Sequence, residues 1–271
     1  MARRQAGSTP GNTPEELHET YEDDPNFVVS LARGLNVLLA FAGSRKHLSI
    51  SDISRITGLS RGSVARLVNT LEKLGYVRSE GRSFQLLPKT LALGQAYLSS
   101  NSLATMAQET LDRIGNQVNE SCSIAVLDEG YVTFVARSAS RRMVSASLSV
   151  GSRIPAYCTS LGRCILAHLP ADELERHLAG ADLVAHTSRT VTDRAALDDV
   201  LEQVRTTGYS ISDSEFEEGL TSIAVPIFGP GNKVEAALGV AAIRYPHEAL
   251  VGTILPVLRG TARDLGAFLR F

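Results

Sequence analysis

The feature that most constrains the fold is a pair of short helical periods separated by Gly58-Leu59, each opened by a serine. Ser49 precedes Ile50, Ile53 and Ile56, and Ser60 precedes Val64, Leu67, Val68, Leu71 and Leu74. A serine in front of such a period is an N-cap, because its hydroxyl oxygen accepts one of the unpaired N–H groups of the first turn. A glycine after the last periodic residue supplies the left-handed backbone in which helices stop. Two helices this close, joined by so tight a turn, fit a helix-turn-helix. Upstream, Ser30 opens a third period with Leu31, Leu35, Leu38 and Leu39. Downstream, Gly75 closes the last helix, and the strand-like runs Tyr76–Ser79 and Ser83–Leu86 flank the turn Glu80-Gly81-Arg82. This order predicts a winged helix-turn-helix over residues 28–88.

Charge agrees with that reading. The chain has a formal net charge of −2, yet residues 28–89 hold ten Lys/Arg against three acids. Residues 1–27 hold two against six, and residues 90–271 hold fifteen against twenty. A basic block between acidic flanks suits a polyanion partner. With Val64, Leu67, Val68, Leu71 and Leu74 inward, the second helix of the motif presents Gly62, Ala65, Arg66, Asn69 and Lys73 outward. Ser60, Ser63 and the free N–H groups of its first turn can hold a phosphate. Arg61 and Arg66 are long enough to reach base edges or phosphates, and Arg78 and Arg82 in the wing are expected to reach an adjacent groove or the backbone. A helical bundle with an incidental basic surface shares the helix order but predicts neither the wing nor the small residues at the helix start.

Residues 1–27, rich in Gly, Pro, Thr and acids, read as a disordered acidic tail. Leu91, Leu93, Ala96 and Tyr97 predict a linker helix within 89–101. Residues 102–271 then pass from a long helix (Leu103 to Val118) to strands and back. Strands are expected at Ile124–Val126, Val132–Val135, Met143–Val150, Tyr209–Ser212, Ile223–Phe228 and Val234–Ile243. Helices are expected at Thr159–Leu169, Asp172–Leu178, Asp193–Thr206 and His247–Leu269, the last kinked or split by Pro256. Strands with helices to the side predict an α+β domain on an antiparallel sheet.

Several classes are excluded. Apolar runs fall well short of the ~20 residues of a membrane span, and no apolar stretch follows Arg3 and Arg4 as in a secretory signal. The three cysteines, Cys122, Cys158 and Cys164, form no CxxC pair, so neither a disulfide framework nor a zinc site is expected, and the location is cytoplasmic. No metal or cofactor is implied. Catalysis would have to use Cys158 or Ser160 as nucleophile, but no GxSxG, HExxH, P-loop or GxGxxG accompanies them and no histidine has a catalytic spacing. That enzyme reading, and a protein-interaction module without DNA binding, remain as alternatives.

Leu48 to Ser60, Ser63 to Arg66 and Leu71 to Val77 together resemble the isocitrate-lyase-regulator (IclR) family of bacterial regulators. Gly151 to Arg163 is similar to part of that family's effector domain, as are Gly208-Tyr209, Asp213 to Glu215, Glu218-Gly219 and Ile223 to Ile227. The resemblance covers about residues 28–271. Through Pro155 to Ser160 and Asp213 to Gly219 it is closest to the subgroup controlling protocatechuate and 4-hydroxybenzoate breakdown by the β-ketoadipate route. It implies a GAF-like effector domain, homodimers or tetramers on a roughly palindromic DNA operator, and control by a small organic acid. Carried over by position, it implies an effector pocket of Met143, Ala146, Ile154, Ser160, Leu161, Ser212, Asp213, Ser222, Gly239 and Ala241. The helix start at Thr159–Ser160 offers N–H groups to a carboxylate. Small residues at 239 and 241 are expected to leave room for a ring or a longer chain, and Arg163 to pair with Glu215 or Glu217.

Overall fold

The computed structural model describes residues 24–42, 46–100, 102–138, 148–179, 181–243 and 245–269. Chain packing divides it into two compact units that meet in sequence between Ala96 and Tyr97. The acidic tail lies outside the described residues up to position 23.

The first unit contains α1 (Val29–Leu39), β1 (Leu48–Ser49), α2 (Ile50–Thr57), α3 (Arg61–Lys73) and the strands β2 (Val77–Glu80) and β3 (Ser83–Leu86). Ser49 caps α2 in a full capping box. Its hydroxyl oxygen accepts from Asp52 N at 3.1 Å, and the Asp52 carboxylate accepts from Ser49 N at 3.1 Å. Gly58 stops the helix at φ +73°, a conformation that glycine adopts without a Cβ penalty. Ser60 then caps α3 through Ser63 N. Val37, Phe41, Leu48, Ile53, Val64, Val68, Leu71 and Val77 form the core. Sequence periodicity misplaced five side chains: Leu31, Leu35, Leu39, Ile56 and Leu74 are exposed, and the buried face of α1 is Val37 followed by Ala40 and Phe41. The two-residue strand β1, which pairs antiparallel with β3 and makes the wing a three-stranded sheet, was also not anticipated. Helix α4 (Leu91–Ser100) follows the wing and buries none of its residues.

The second unit is an antiparallel six-stranded sheet in the order β6-β5-β4-β9-β8-β7. The strands are β4 (Ser121–Asp128), β5 (Tyr131–Ser138), β6 (Arg153–Pro155), β7 (Ser210–Asp213), β8 (Leu220–Phe228) and β9 (Val234–Ile243). Alternation divides its side chains between two cores. Cys122, Ile124, Ile223, Val225, Leu238 and Val240 face α5 (Ser102–Val118) and the C-terminal helix. Ala125, Ala224 and Ala237 face α6 (Ser160–Leu166) and α8 (Arg194–Thr207), with α7 (Ala171–Leu178) between these in sequence. The C-terminal segment splits, as expected, ahead of Pro256: a short turn of helix (α9, His247–Ala249), a π-helical turn (Leu250–Ile254) and α10 (Leu255–Phe268). The proline ring crowds the carbonyl four residues earlier and offers no N–H to it. The expected strand Met143–Val150 falls largely outside the described residues, and Leu148 to Val150 are not strand. The edge strand is instead β6, three residues that pair with Tyr131 to Thr133. The result is the α+β architecture expected from the sequence.

Candidate nucleic-acid interface and effector cavity

On α3, Gly62, Arg66, Asn69 and Lys73 are exposed and Ala65 is half-buried, so the outward stripe lies where the period places it. Ser60 and Arg61 are exposed and Ser63 is half-buried, its N–H already taken by the Ser60 hydroxyl oxygen at 3.2 Å. In the wing, Arg78 on β2 and Arg82 in the two-residue turn are both exposed; Arg78 lies 3.9 Å from Glu80. The wing is tied to α3 by the Glu72 carboxylate, which accepts from Ser79 N at 2.8 Å; hydrogen bonding from the Ser79 hydroxyl and then its N–H holds the carboxylate below its usual pKa. Lys89 braces the other side, donating to Leu74 O at 2.8 Å while its ammonium sits 5.1 Å above the Tyr76 ring.

In the second unit, Ile154, Ser160, Leu161, Ser212, Ser222, Gly239 and Ala241 line one cavity between the sheet and α6. The sheet register explains the convergence: Ser212 pairs with Ser222, and Ser222 with Ala241, so one face carries all three. Ser160 Oγ, at the start of α6, donates to Ser222 Oγ at 2.8 Å, and Ser212 Oγ donates to Cys158 O at 3.0 Å. Asp213 does not line the cavity. Alternation along β7 turns it away from Ser212, and it pairs instead with Arg189 at 3.0 Å and His247 at 3.6 Å. Met143 and Ala146 lie outside the described residues.

Two expectations about the chemistry change. Helix α6 has seven residues, and its Gly162 N–H is already bonded to the Thr159 hydroxyl at 3.2 Å, so the helix start makes a poor carboxylate anchor. Gly239 does not leave room for a ring. A Cβ there would lie 3.0 Å from Leu161 Cδ2 and 3.0 Å from Ile223 O, so its smallness instead lets Leu161 settle onto the sheet.

Sequence reasoning missed Ser123, Phe134, Arg137, Leu148, Phe216, Leu220 and Val240 in the cavity wall, which also includes Thr159, expected at the helix start, and Cys158, weighed only as a nucleophile. Arg137 is the notable member. Its Nη1 donates to Ser123 Oγ at 3.1 Å, its guanidinium lies 5.5 Å from the Phe134 ring centre, and its buried Nε has no partner. Burial pulls its pKa below the ordinary arginine value, opposed only by Cys122, a thiol that burial itself holds neutral, pushed up to about 12.

A second arginine, this one fully buried, braces the wall. Arg163 reaches both carboxylate oxygens of Glu215 at 2.5 Å and donates from Nε to Tyr157 O at 2.7 Å, the ion pair expected from the sequence. Thr187 and Thr190 donate to Ser214 O and Glu215 O, both at 2.6 Å, which fixes the loop that carries Phe216. Nucleophilic chemistry finds no support here. Burial pushes the Cys158 thiol up to about 12, and the Ser160 hydroxyl is bonded to another serine rather than to a base.

A winged helix joined to an α+β unit that encloses a small cavity defines a ligand-responsive transcription regulator. Residues 30–81 match the IclR helix-turn-helix domain, and residues 95–267 match the bacterial transcriptional regulator IclR C-terminal domain. The chain belongs to the IclR family and is a DNA-binding regulator. The Pca regulon regulatory protein of Pseudomonas putida is 45% identical, over 93% of this chain and 88% of its own length. The p-hydroxybenzoate hydroxylase transcriptional activator of Acinetobacter baylyi is 33% identical, over 93% and 95%. An IclR homologue from Microbacterium hydrocarbonoxydans, solved in complex with 4-hydroxybenzoate, superposes with a TM-score of 0.75 at 28% identity, covering 89% of this chain and 98% of that one. No helix among the described residues is long and apolar enough to cross a membrane.

Proposed function

We propose that this protein regulates genes for the breakdown of aromatic acids, with an aromatic acid as the effector that occupies the cavity beneath α6. The observation that carries this reading is the cavity itself: apolar walls and a few convergent hydroxyls around one desolvated cation. Relatives named for p-hydroxybenzoate and Pca control support the chemical class. Residues 28–88 read DNA through Ser60, Arg61, Gly62, Ser63, Arg66, Asn69 and Lys73, with Arg78 and Arg82 in the wing; residues 89–101 are the linker and 102–271 the sensor. The protein works in the cytoplasm as at least a dimer on a roughly palindromic operator. Leu31, Leu35 and Leu39 form an exposed stripe along α1, and Leu91 and Leu93 are exposed on α4, apolar surface that a second copy of the chain would cover.

Gel-shift with DNA from the gene's own upstream region, with and without hydroxybenzoates, tests the proposal. Operator binding should change on adding the acid. Ser222→Phe, which fills the cavity, should lose that response and keep its DNA affinity. Arg66→Ala should weaken operator binding by about 1–3 kcal/mol if it reads a base. Wild-type binding that no aromatic acid alters would refute the sensor assignment.

A further inference from the structure

We propose that Arg137 is the charge reader of the cavity, holding the carboxylate of a flat acid whose second polar group, a hydroxyl, is held at the opposite end by Ser222 and Ser212. The inference rests on the cavity being the effector site and specifies what that site selects.

Two arginines of this unit make the contrast, Arg163 fully buried and Arg137 half-buried with its Nε enclosed. Arg163 has a bidentate carboxylate and a carbonyl. Arg137 has one serine hydroxyl, an aromatic face and an unpartnered Nε, and it points into open space that the same serine lines. A guanidinium stays charged in a protein. Drawing it from water without a counter-ion is costly, and the cost is recovered when an anion arrives. A carboxylate fits the guanidinium fork with paired, charge-assisted hydrogen bonds. Ser123, by holding Nη1, fixes the orientation in advance.

The far end has a different character. With Ser160 donating to Ser222, the Ser222 proton is left for a guest. Ser212 spends its proton on Cys158 O and keeps lone pairs to accept with. A neutral hydroxyl, which both donates and accepts, satisfies this pair. Ser222 on β8 stands two strands from Ser123 on β4, with β9 between. That separation is at least two strand spacings, about 10 Å, too far for one carboxylate to serve both ends. Leu161, Ile154 and Phe216 wall the space between, so the connecting body is apolar.

Calorimetry on the full chain with 4-hydroxybenzoate, its neutral analogue 4-hydroxybenzamide, and benzoate tests this. Wild type should prefer 4-hydroxybenzoate to the amide by about 100-fold, the worth of a desolvated charge-assisted pair. Arg137→Met should erase that preference. Ser222→Ala should lower the preference for 4-hydroxybenzoate over benzoate by about 10-fold, as loss of one neutral hydrogen bond does. Without ligand, Arg137→Met should melt no lower than wild type, because it removes a half-buried cation that has no counter-ion among the described residues. Unchanged acid binding by Arg137→Met, or a lower unliganded melting temperature, would overturn the assignment while the effector-site reading stands. Failure of wild type to bind any of the three compounds would overturn both.

Discussion

Arg163 and Arg137 both belong to the sensor unit, and among the described residues only Arg163 of the two meets a counter-ion there. Their substitutions should therefore differ in sign. Arg163→Met leaves Glu215 charged and enclosed, so chemical denaturation should show a loss of about 3–5 kcal/mol, and adding Glu215→Leu should recover most of it. His186 makes a pH-dependent counterpart. Its ring centre lies 6.2 Å from that of Tyr157 and 5.3 Å from that of Phe216; the residue stays exposed, and the part of the ring these contacts shield from water lowers its pKa below the ordinary 6.5. The unfolded chain then binds more protons than the folded one as pH falls through 6.5, so stability drops with acidification in that window. Replacing His186 with Gln should flatten the slope of stability against pH there. The Arg163 pairing was legible in the sequence because an arginine inside a buried helical motif needs an acid, and two stood in the next motif. Arg137 was not legible. A lone arginine at the end of a strand reads as a solvated terminus until the fold brings Ser123 and Phe134 around it.

Among elements, the caps and turns were the easiest to read, since Ser49, Gly58, Ser60 and Gly75 act through neighbours only a few residues away. Which face of α1 is buried depends on α3, whose packing no local period encodes. For the same reason β1 and β6, two and three residues long, were missed: each exists because a longer strand offers it a partner. The wing depends on such a remote contact too, the Glu72 carboxylate on the Ser79 N–H. Glu72→Ala should leave the helices folded by circular dichroism yet weaken DNA binding, because the strand bearing Arg78 loses its tie to α3. Acid should mimic the substitution, as Glu72 keeps this contribution above the ordinary carboxylate pKa and loses it as pH falls through its lowered value.

Across the molecule, the two units differ in how far along the chain their contacts reach. The first unit's helices and hairpin pair with near neighbours, whereas the sensor sheet joins Cys122 to Val240 and Ser123 to Gly239 at its centre. Contacts that close long loops form slowly. On the ribosome, the DNA-reading unit can therefore fold while the rest is still being made, and the sensor must wait until β9 has emerged. During that interval β4 and β5 form a hairpin with an unpaired inner edge, a template for wrong partners. Stalled chains ending before Val234 should show a protease-resistant first unit beside a protease-sensitive sensor segment, and the sensor should gain resistance once synthesis passes Ile243. The strand placed last in the sequence and in the middle of the sheet thus works as a completeness check: a chain cut short can hold DNA-reading helices, but it cannot build the chamber beside them in the chain.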